Sequence, residues 1–402
     1  MPDFRLPNAR ADENYTTSLN SVLTNLGSVS FLDIHVPENL GLSADLDAGT
    51  LSGSPASAGD FEMSLVYYKN TEVPAREYTA KLSLLVVPNP KSLWKNLPSD
   101  ATAIYWRPDE ACSSVAHQKF SVLAASKRGR SHAHVGSFRD DDYQHVLIND
   151  WVIIVVADGA GSAKYSRRGA QLICDTAVQN LSHSLMDDSV LVEAISVFQQ
   201  AQIETSPSLE TAQQNLHSIL ASKLGSAARS AEQAIQQELA QQSNLQADYK
   251  DFSSTALIAI AKQVSFGFVC AAFAVGDGAI AVYQQGQAVS LLGSADSGEF
   301  AGQTRFLDAQ SVTDEAIAFR TQFALVEDLT ALILMSDGVS DPWFETDAQL
   351  ASINKWEAFW SELVAAGAIA TEEKLLAWLD FWSSGNHDDR TIVLVRPFQI
   401  NA

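Results

Sequence analysis

Three stretches of the chain run apolar for most of their length and stop at an Asp-Gly pair. The clearest is WVIIVVADG at residues 151–159, mostly β-branched, too short to cross a membrane, and ending in small residues that let the backbone turn. CAAFAVGDG ends at Asp277 and Gly278, and TALILMSDG at Asp337 and Gly338. The pattern predicts buried strands that each deliver a carboxylate to a loop. A fourth acidic group, Asp388 and Asp389 in NHDDR, precedes the apolar run TIVLV, and a fifth, Asp140 to Asp142, follows Arg139.

Elsewhere the periodicity alternates between two and 3.6 residues. Within residues 8–87, Phe61, Met63, Leu65 and Tyr67 share one face of a strand, as do Tyr78, Ala80, Leu82, Leu84 and Val86 of another. The Gly, Ser, Pro and Asp between them suit hairpin connections, so residues 1–90 are expected to form a small antiparallel β-sandwich. Residues 91–110 mix prolines with scattered aromatics and read as a linker that partly packs, leaving 111–402 as the larger domain. There a strand at 119–125 is followed by the polar cluster around His132, His134 and the three aspartates. After the 151–157 strand, Ala170, Ile173, Cys174, Ala177, Val178 and Leu181 follow helical spacing, with Lys164, Arg167 and Arg168 in the first turn. Basic residues oppose the dipole at that end and hint at an anionic neighbour. Leu216, Leu220, Leu224, Ala228, Ala231, Ile235 and Leu239 mark a second long helix. From Asp251 strands separated by Gly-containing turns predict an antiparallel sheet, 346–382 reads as helical and Trp-rich, and the chain returns to a strand at its end.

Composition narrows the function classes. The chain has 402 residues and a hydrophobic share of 46%, enough for two or more domains. Its 48 acidic against 26 basic side chains give a net charge of −22, which makes nucleic acid and anionic membrane poor partners. No basic leader or long apolar run stands at the N-terminus, and a cytoplasmic protein is the simplest expectation. Cys112, Cys174 and Cys270 are widely spaced and carry no metal or disulfide pattern.

One Asp-Gly pair is a favoured hairpin turn and nothing more. Five acidic loops delivered from strand ends are different. Carboxylates converging on one place repel unless a cation lies between them, and hard oxygen donors suit Mg²⁺ or Mn²⁺. Zinc suits the site less, because His132 and His134 come with no nearby cysteine or third histidine at ligand spacing. The constellation suggests metal-assisted hydrolysis.

In their order (DDD, DGAGS before a helix, SST, GDG, SDGVSD, DDRT before the last strand) these motifs resemble the protein phosphatase 2C family over residues 110–398. Residues 1–90, with GLSADLDAGTLSGSPASAGDFEMSL, resemble bacterial immunoglobulin-like, cadherin-like repeats, which implies a recognition or spacer module with a protein ligand of its own. The first resemblance implies an α/β/β/α four-layer sandwich of two antiparallel sheets between helices. It further implies a binuclear Mg²⁺ or Mn²⁺ centre that activates water to hydrolyse phosphoserine or phosphothreonine in a protein substrate, and a partner Ser/Thr kinase. Carried over residue by residue, Asp158 matches the bridging ligand, the Gly159 carbonyl another ligand, and Asp337 and Asp388 the remaining ligands of the first metal. Asp141 matches the acidic residue near the second metal, with Asp140 and Asp142 as register alternatives; Asp251 matches the ligand of a third ion, and Asp277 a signature position of structural role. Ala160 stands where some members have a histidine that protonates the leaving alcohol, which leaves a metal-bound water, His132 or His134 for that task. Arg130 and Arg139 are the candidates for holding phosphate, and Asp158, Arg139 and His132 form the expected catalytic set. A catalytically silent member that serves as a binding platform, and hydrolysis of a small phosphorylated metabolite, are the competing readings.

Overall fold

The computed structural model describes residues 1–117, 119–186, 188–204, 207–293 and 304–398. The chain divides into two compact units, Met1–Lys95 and Asn96–Ala402.

The first unit is β-rich. Its strands are β1 (Asp3–Arg5), β2 (Ala9–Arg10), β3 (Tyr15–Ser18), β4 (Val29–His35), β5 (Leu42–Asp45), β6 (Thr50–Gly53), β7 (Gly59–Lys69) and β8 (Glu77–Val87), with one short helix, α1 (Leu19–Val22). β7 and β8 pair antiparallel with Met63 opposite Leu82 and Leu65 opposite Ala80, so the two predicted apolar faces coincide and close one core. A sheet in the order β1-β8-β7-β4, with β2 also on β8, faces a smaller sheet β3-β6-β5 through that core. The expected all-antiparallel pattern does not hold throughout: β1 and β2 run parallel to β8. The short strands at the start of the chain lie along the free edge of β8 and satisfy its backbone.

In the second unit the strands are β9 (Glu110–Ala116), β10 (Phe120–Lys127), β11 (Asp142–Ile148), β12 (Trp151–Ala157), β13 (Ala256–Val264), β14 (Gly267–Val275), β15 (Ala279–Gln284), β16 (Ala288–Leu291), β17 (Thr321–Val326), β18 (Ala331–Met335) and β19 (Arg390–Pro397). The helices are α2 (Arg130–Val135), α3 (Ser166–Leu185), α4 (Ser189–Ile203), α5 (Leu209–Gln241), α6 (Asp314–Arg320), α7 (Asp337–Trp343), α8 (Asp347–Leu350), α9 (Ile353–Ala365) and α10 (Glu372–Trp378). Two antiparallel sheets result, β16-β15-β18-β19-β10-β9 and β11-β12-β13-β14-β17.

The apolar runs are continuous because both faces of each strand are buried. Along β12, Trp151, Ile153, Val155 and Ala157 pack toward α3, α4 and α5, while Val152, Ile154 and Val156 pack toward the other sheet. On β18, Leu332 and Leu334 meet them from the opposite sheet, and Ile333 and Met335 turn outward onto α9 and α10, where Trp356, Phe359, Trp360 and Trp378 are buried. Helices, sheet, sheet and helices therefore stack in four layers around three cores. The predicted faces of α3 and α5 are the buried ones, and the span 346–382, read as helical, holds three helices, α8, α9 and α10. Among the described residues no helix is long and apolar enough to cross a membrane.

Residues 96–109 are fastened to the second unit by arginines. Arg128 donates to Asn96 Oδ1 at 2.9 Å and the Leu97 carbonyl at 2.8 Å; Arg167 donates to the Ile104 carbonyl at 2.8 Å and the Tyr105 carbonyl at 3.0 Å. Arg168 donates to Glu238 at 2.7 Å. The basic first turn of α3 is thus occupied with carbonyls and a carboxylate of the protein itself.

Candidate metal centre

The acidic loops meet at one end of the sandwich because the strands that carry them end there. β12 stops at Asp158, whose backbone is clamped by the small residues after the single helical turn Tyr249–Phe252: its N–H donates to Thr255 Oγ1 at 2.8 Å, and its carbonyl accepts from Thr255 N and Ser254 Oγ, each at 2.8 Å. Gly159 admits no side chain, since a Cβ would lie 2.6 Å from the Asp140 carbonyl. β14 delivers Asp277, and β18 delivers Asp337 through Ser336. Carboxylate oxygens of Asp158, Asp277 and Asp337 all lie within 4.8 Å of one another.

Two further loops close on that group. Ser336 Oγ donates to Asp141 Oδ2 at 2.8 Å and accepts from Thr391 N at 3.0 Å, tying the loop before β11 to β18 and β19. Asp389 is fully buried and accepts from Gly129 N at 2.6 Å, Asp140 N at 2.5 Å and His132 Nδ1 at 3.0 Å. Atoms of His132, Asp388 and Asp389 form a second close group, again within 4.8 Å. Gly338 lets α7 seat against this loop, because a Cβ there would meet the Asp389 carbonyl at 1.9 Å.

Electrostatics at this end are dominated by like charges, which His132 beside Asp389 and Arg167 beside Asp140 offset only in part. Burial, then the charges of Asp141 and Asp337, push Asp158 well above the ordinary aspartate range; burial, then Asp277, Asp388 and Asp141, do the same to Asp337. Burial and the neighbouring Asp389 raise Asp140 and Asp141 to about 7. Asp389 itself is held low: burial opposes its ionisation, but the bond and charge of His132 and the N–H groups of Gly129 and Asp140 outweigh burial. Burial also opposes the charge on His132, yet Asp389, with Asp140 and Asp388, raises it to about 9.

Oδ1 atoms of Asp141, Asp277 and Asp337 are buried and have no hydrogen-bond partner. Unpaired buried carboxylate oxygens are costly, and hard oxygens facing one another are the donor set of a divalent cation. The residues present fit such an ion.

Of the residues singled out in the sequence, Asp141, Asp158, Gly159, Asp337 and Asp388 converge here. Asp277, read as structural, stands among the gathered carboxylates; its place after a third apolar run already put it in the same series as Asp158 and Asp337. Asp251 is in neither close group. Its Oδ2 accepts from Asp248 N at 3.0 Å in a capping box, and its carbonyl accepts from Tyr165 N at 2.7 Å. Arg139 is 1% exposed and donates to Ser126 Oγ at 2.7 Å, the Asp141 carbonyl at 2.9 Å and the Pro108 carbonyl at 3.1 Å, bracing the acidic loop from behind. Arg130 donates to Asp380 and to the Phe381 carbonyl and lies over the Trp382 ring. Asp142 pairs with Arg107. His134 lies on α2 two residues after His132 and joins neither close group.

No curated protein matches the sequence. Similar solved structures include RsbX in complex with magnesium, at 13% identity over 72% of this chain and 100% of that one, with a TM-score of 0.34. The catalytic domain of the serine/threonine phosphatase PstP with two manganese ions is 14% identical over 70% of this chain and 99% of that one, with a TM-score of 0.38. The Mycobacterium tuberculosis serine/threonine phosphatase PstP is 15% identical over 69% and 98%, again with a TM-score of 0.38. The family described as Protein phosphatase 2C matches residues 128–380, a span that begins at the arginine ahead of α2 and takes in four of the five acidic loops. A match over well over half its length makes the chain a member of the protein phosphatase 2C family.

Proposed function

We propose that the chain is a metal-dependent phosphatase that hydrolyses phosphoserine or phosphothreonine in a phosphorylated protein. The observation that carries this reading is the set of buried, unpartnered Oδ1 atoms on Asp141, Asp277 and Asp337 around Asp158. In the reading, Asp158, Asp277, Asp337 and Asp388, with Asp141 and the Gly159 carbonyl, hold two Mn²⁺ or Mg²⁺ ions; Asp251 would contribute only to a third ion at the margin. Bound divalent cations supply the charge that acidifies water and offsets the charge developing on the phosphoryl oxygens. The chain's own residues do the positioning. Ser254 and Thr255 fix the backbone of Asp158, Ser336 orients the Asp141 carboxylate, and Arg139 holds the Asp141 carbonyl. The proposal extends to a partner Ser/Thr kinase that makes the substrate, and to the β-rich first unit as an immunoglobulin-like recognition module.

The test is phosphate release from a phosphothreonine peptide with Mn²⁺, with Mg²⁺ and with EDTA, for the wild type and D158N. Release that requires metal and falls at least about 10³-fold in D158N is the expected result. A folded protein that releases no phosphate under any of these conditions would instead be a binding platform built on the same fold.

A further inference from the structure

Serine and threonine alkoxides are poor leaving groups, so cleaving their esters calls for a proton at the bridging oxygen as the phosphorus–oxygen bond breaks. Ala160, two residues beyond Asp158, has none to give. The arginines around the acidic end are spent: Arg128, Arg130, Arg139, Arg167 and Arg390 all donate to carbonyl or side-chain oxygens of the protein. His132 differs. Its Nδ1 is paired with Asp389 Oδ1 at 3.0 Å, and its Nε2 faces the loop after Asp158, where a Cβ on Gly161 would lie 3.4 Å away.

The backbone is shaped to bring this ring in from another element. Gly129, at the start of α2, could not carry a side chain, because a Cβ there would lie 2.3 Å from the Asp388 backbone. That close approach sets α2 on the 388–389 loop and places His132 between it and the loop after Asp158. Ser131 Oγ, donating to the His387 carbonyl at 2.8 Å, fastens the same contact from the next residue. Asp389 is anchored in turn by Gly129 N and Asp140 N, so the carboxylate that fixes the imidazole is itself fixed.

We infer that His132 is the proton donor to the leaving alcohol oxygen and that Asp389 is the residue that positions it. The inference rests on the phosphatase reading above. In the step, a water oxygen forms the new bond to phosphorus while the bond from phosphorus to the serine or threonine oxygen breaks, its electron pair staying on that oxygen. The Nε2 proton of His132 passes to the oxygen, leaving a neutral imidazole still bound to Asp389 through Nδ1–H. The proton lost by the attacking water goes to solvent, and solvent returns one to Nε2.

A series of substituted phenyl phosphates of graded leaving-group acidity separates this role from a structural one, because an acid matters most where the leaving group is poorest. The measurements are kcat across the series and on a phosphothreonine peptide, with Mn²⁺ affinity by calorimetry, for the wild type, H132Q, D389N and the double variant. In H132Q, kcat on the phosphothreonine peptide relative to that on 4-nitrophenyl phosphate should fall about 10²-fold, with a steeper dependence on leaving-group acidity and Mn²⁺ affinity retained. D389N should steepen the dependence in the same direction, and the double variant should be no steeper than H132Q. An equal loss on every ester, or a loss of Mn²⁺ affinity with the slope unchanged, would overturn the inference for His132. A wild-type slope in folded D389N would overturn it for Asp389. A wild type that hydrolyses no ester with Mn²⁺ would overturn the phosphatase reading as well, an outcome distinct from an active enzyme whose variants keep its slope.

Discussion

Direction, not identity, decides what each polar residue in the 128–142 cluster does. Arg139 stands next to the acidic triplet in sequence, which makes it a natural candidate for holding phosphate. Its guanidinium instead points into the protein and serves Ser126 and the carbonyls of Pro108 and Asp141. Replacing it with methionine leaves those groups unpaired in a buried place, so R139M should lose about 3 kcal/mol in a denaturant titration. A phosphate contact would behave differently, raising KM with the unfolding midpoint unchanged. The same distinction separates Asp277 from Asp251. Both follow the grammar of an acidic residue beside a strand, but one carboxylate is gathered with Asp158 and Asp337 while the other accepts from the backbone N–H of Asp248. Residue type and spacing pick out the acidic set; which oxygen is already engaged depends on partners far away in sequence.

At the scale of elements, the apolar pattern carries most of the architecture. β12, β13, β14, β18 and β19 are legible as continuous apolar runs, and those runs mean burial on both faces, which is what two sheets stacked between helices provide. The long helices are legible for the same reason, through Leu216, Leu220 and Leu224 on one face of α5 and Ile173, Cys174 and Ala177 on α3. Pairings that depend on which edge is free are not legible: β1 and β2 join β8 in parallel although their own sequences give no sign of it. Nor does a sequence show close approach, which is where Gly338 matters. Its backbone is not in the left-handed region, so space and not torsion requires glycine there. G338A would drive the start of α7 from the Asp389 carbonyl and separate Asp337 from Asp388. The expected cost is about 2–3 kcal/mol of stability, with weaker Mn²⁺ binding in calorimetry. Unchanged Mn²⁺ affinity would mean that α7 is not what sets the spacing of the two carboxylates.

Taken as a whole, the molecule concentrates like charge where it can least be tolerated, in a chain already carrying a net charge of −22. Without cations the folded second unit must keep protons on buried aspartates that an unfolded chain would release near their ordinary value of 3.8; Asp140 and Asp141 hold theirs to about 7, and Asp158 and Asp337 are likewise held well above the ordinary value. A folded-state pKa above the unfolded one contributes stability that is complete below the unfolded value and is lost as pH rises through the folded value. His132, raised from 6.5 to about 9, has the same sign and loses its contribution between those values. Asp389 is the exception, since its lowered pKa stabilises the fold above the ordinary aspartate value and falls away only in acid. In EDTA the melting temperature of the second unit should therefore fall steadily from about pH 5 to about pH 9. Mn²⁺ takes the place of the protons and binds the ionised carboxylates, so its stabilising effect should grow over the same range as proton competition fades. Parallel melting curves with and without Mn²⁺ across that range would mean that the clustered aspartates are not where the ion binds, and the metal centre would have to be sought among other residues.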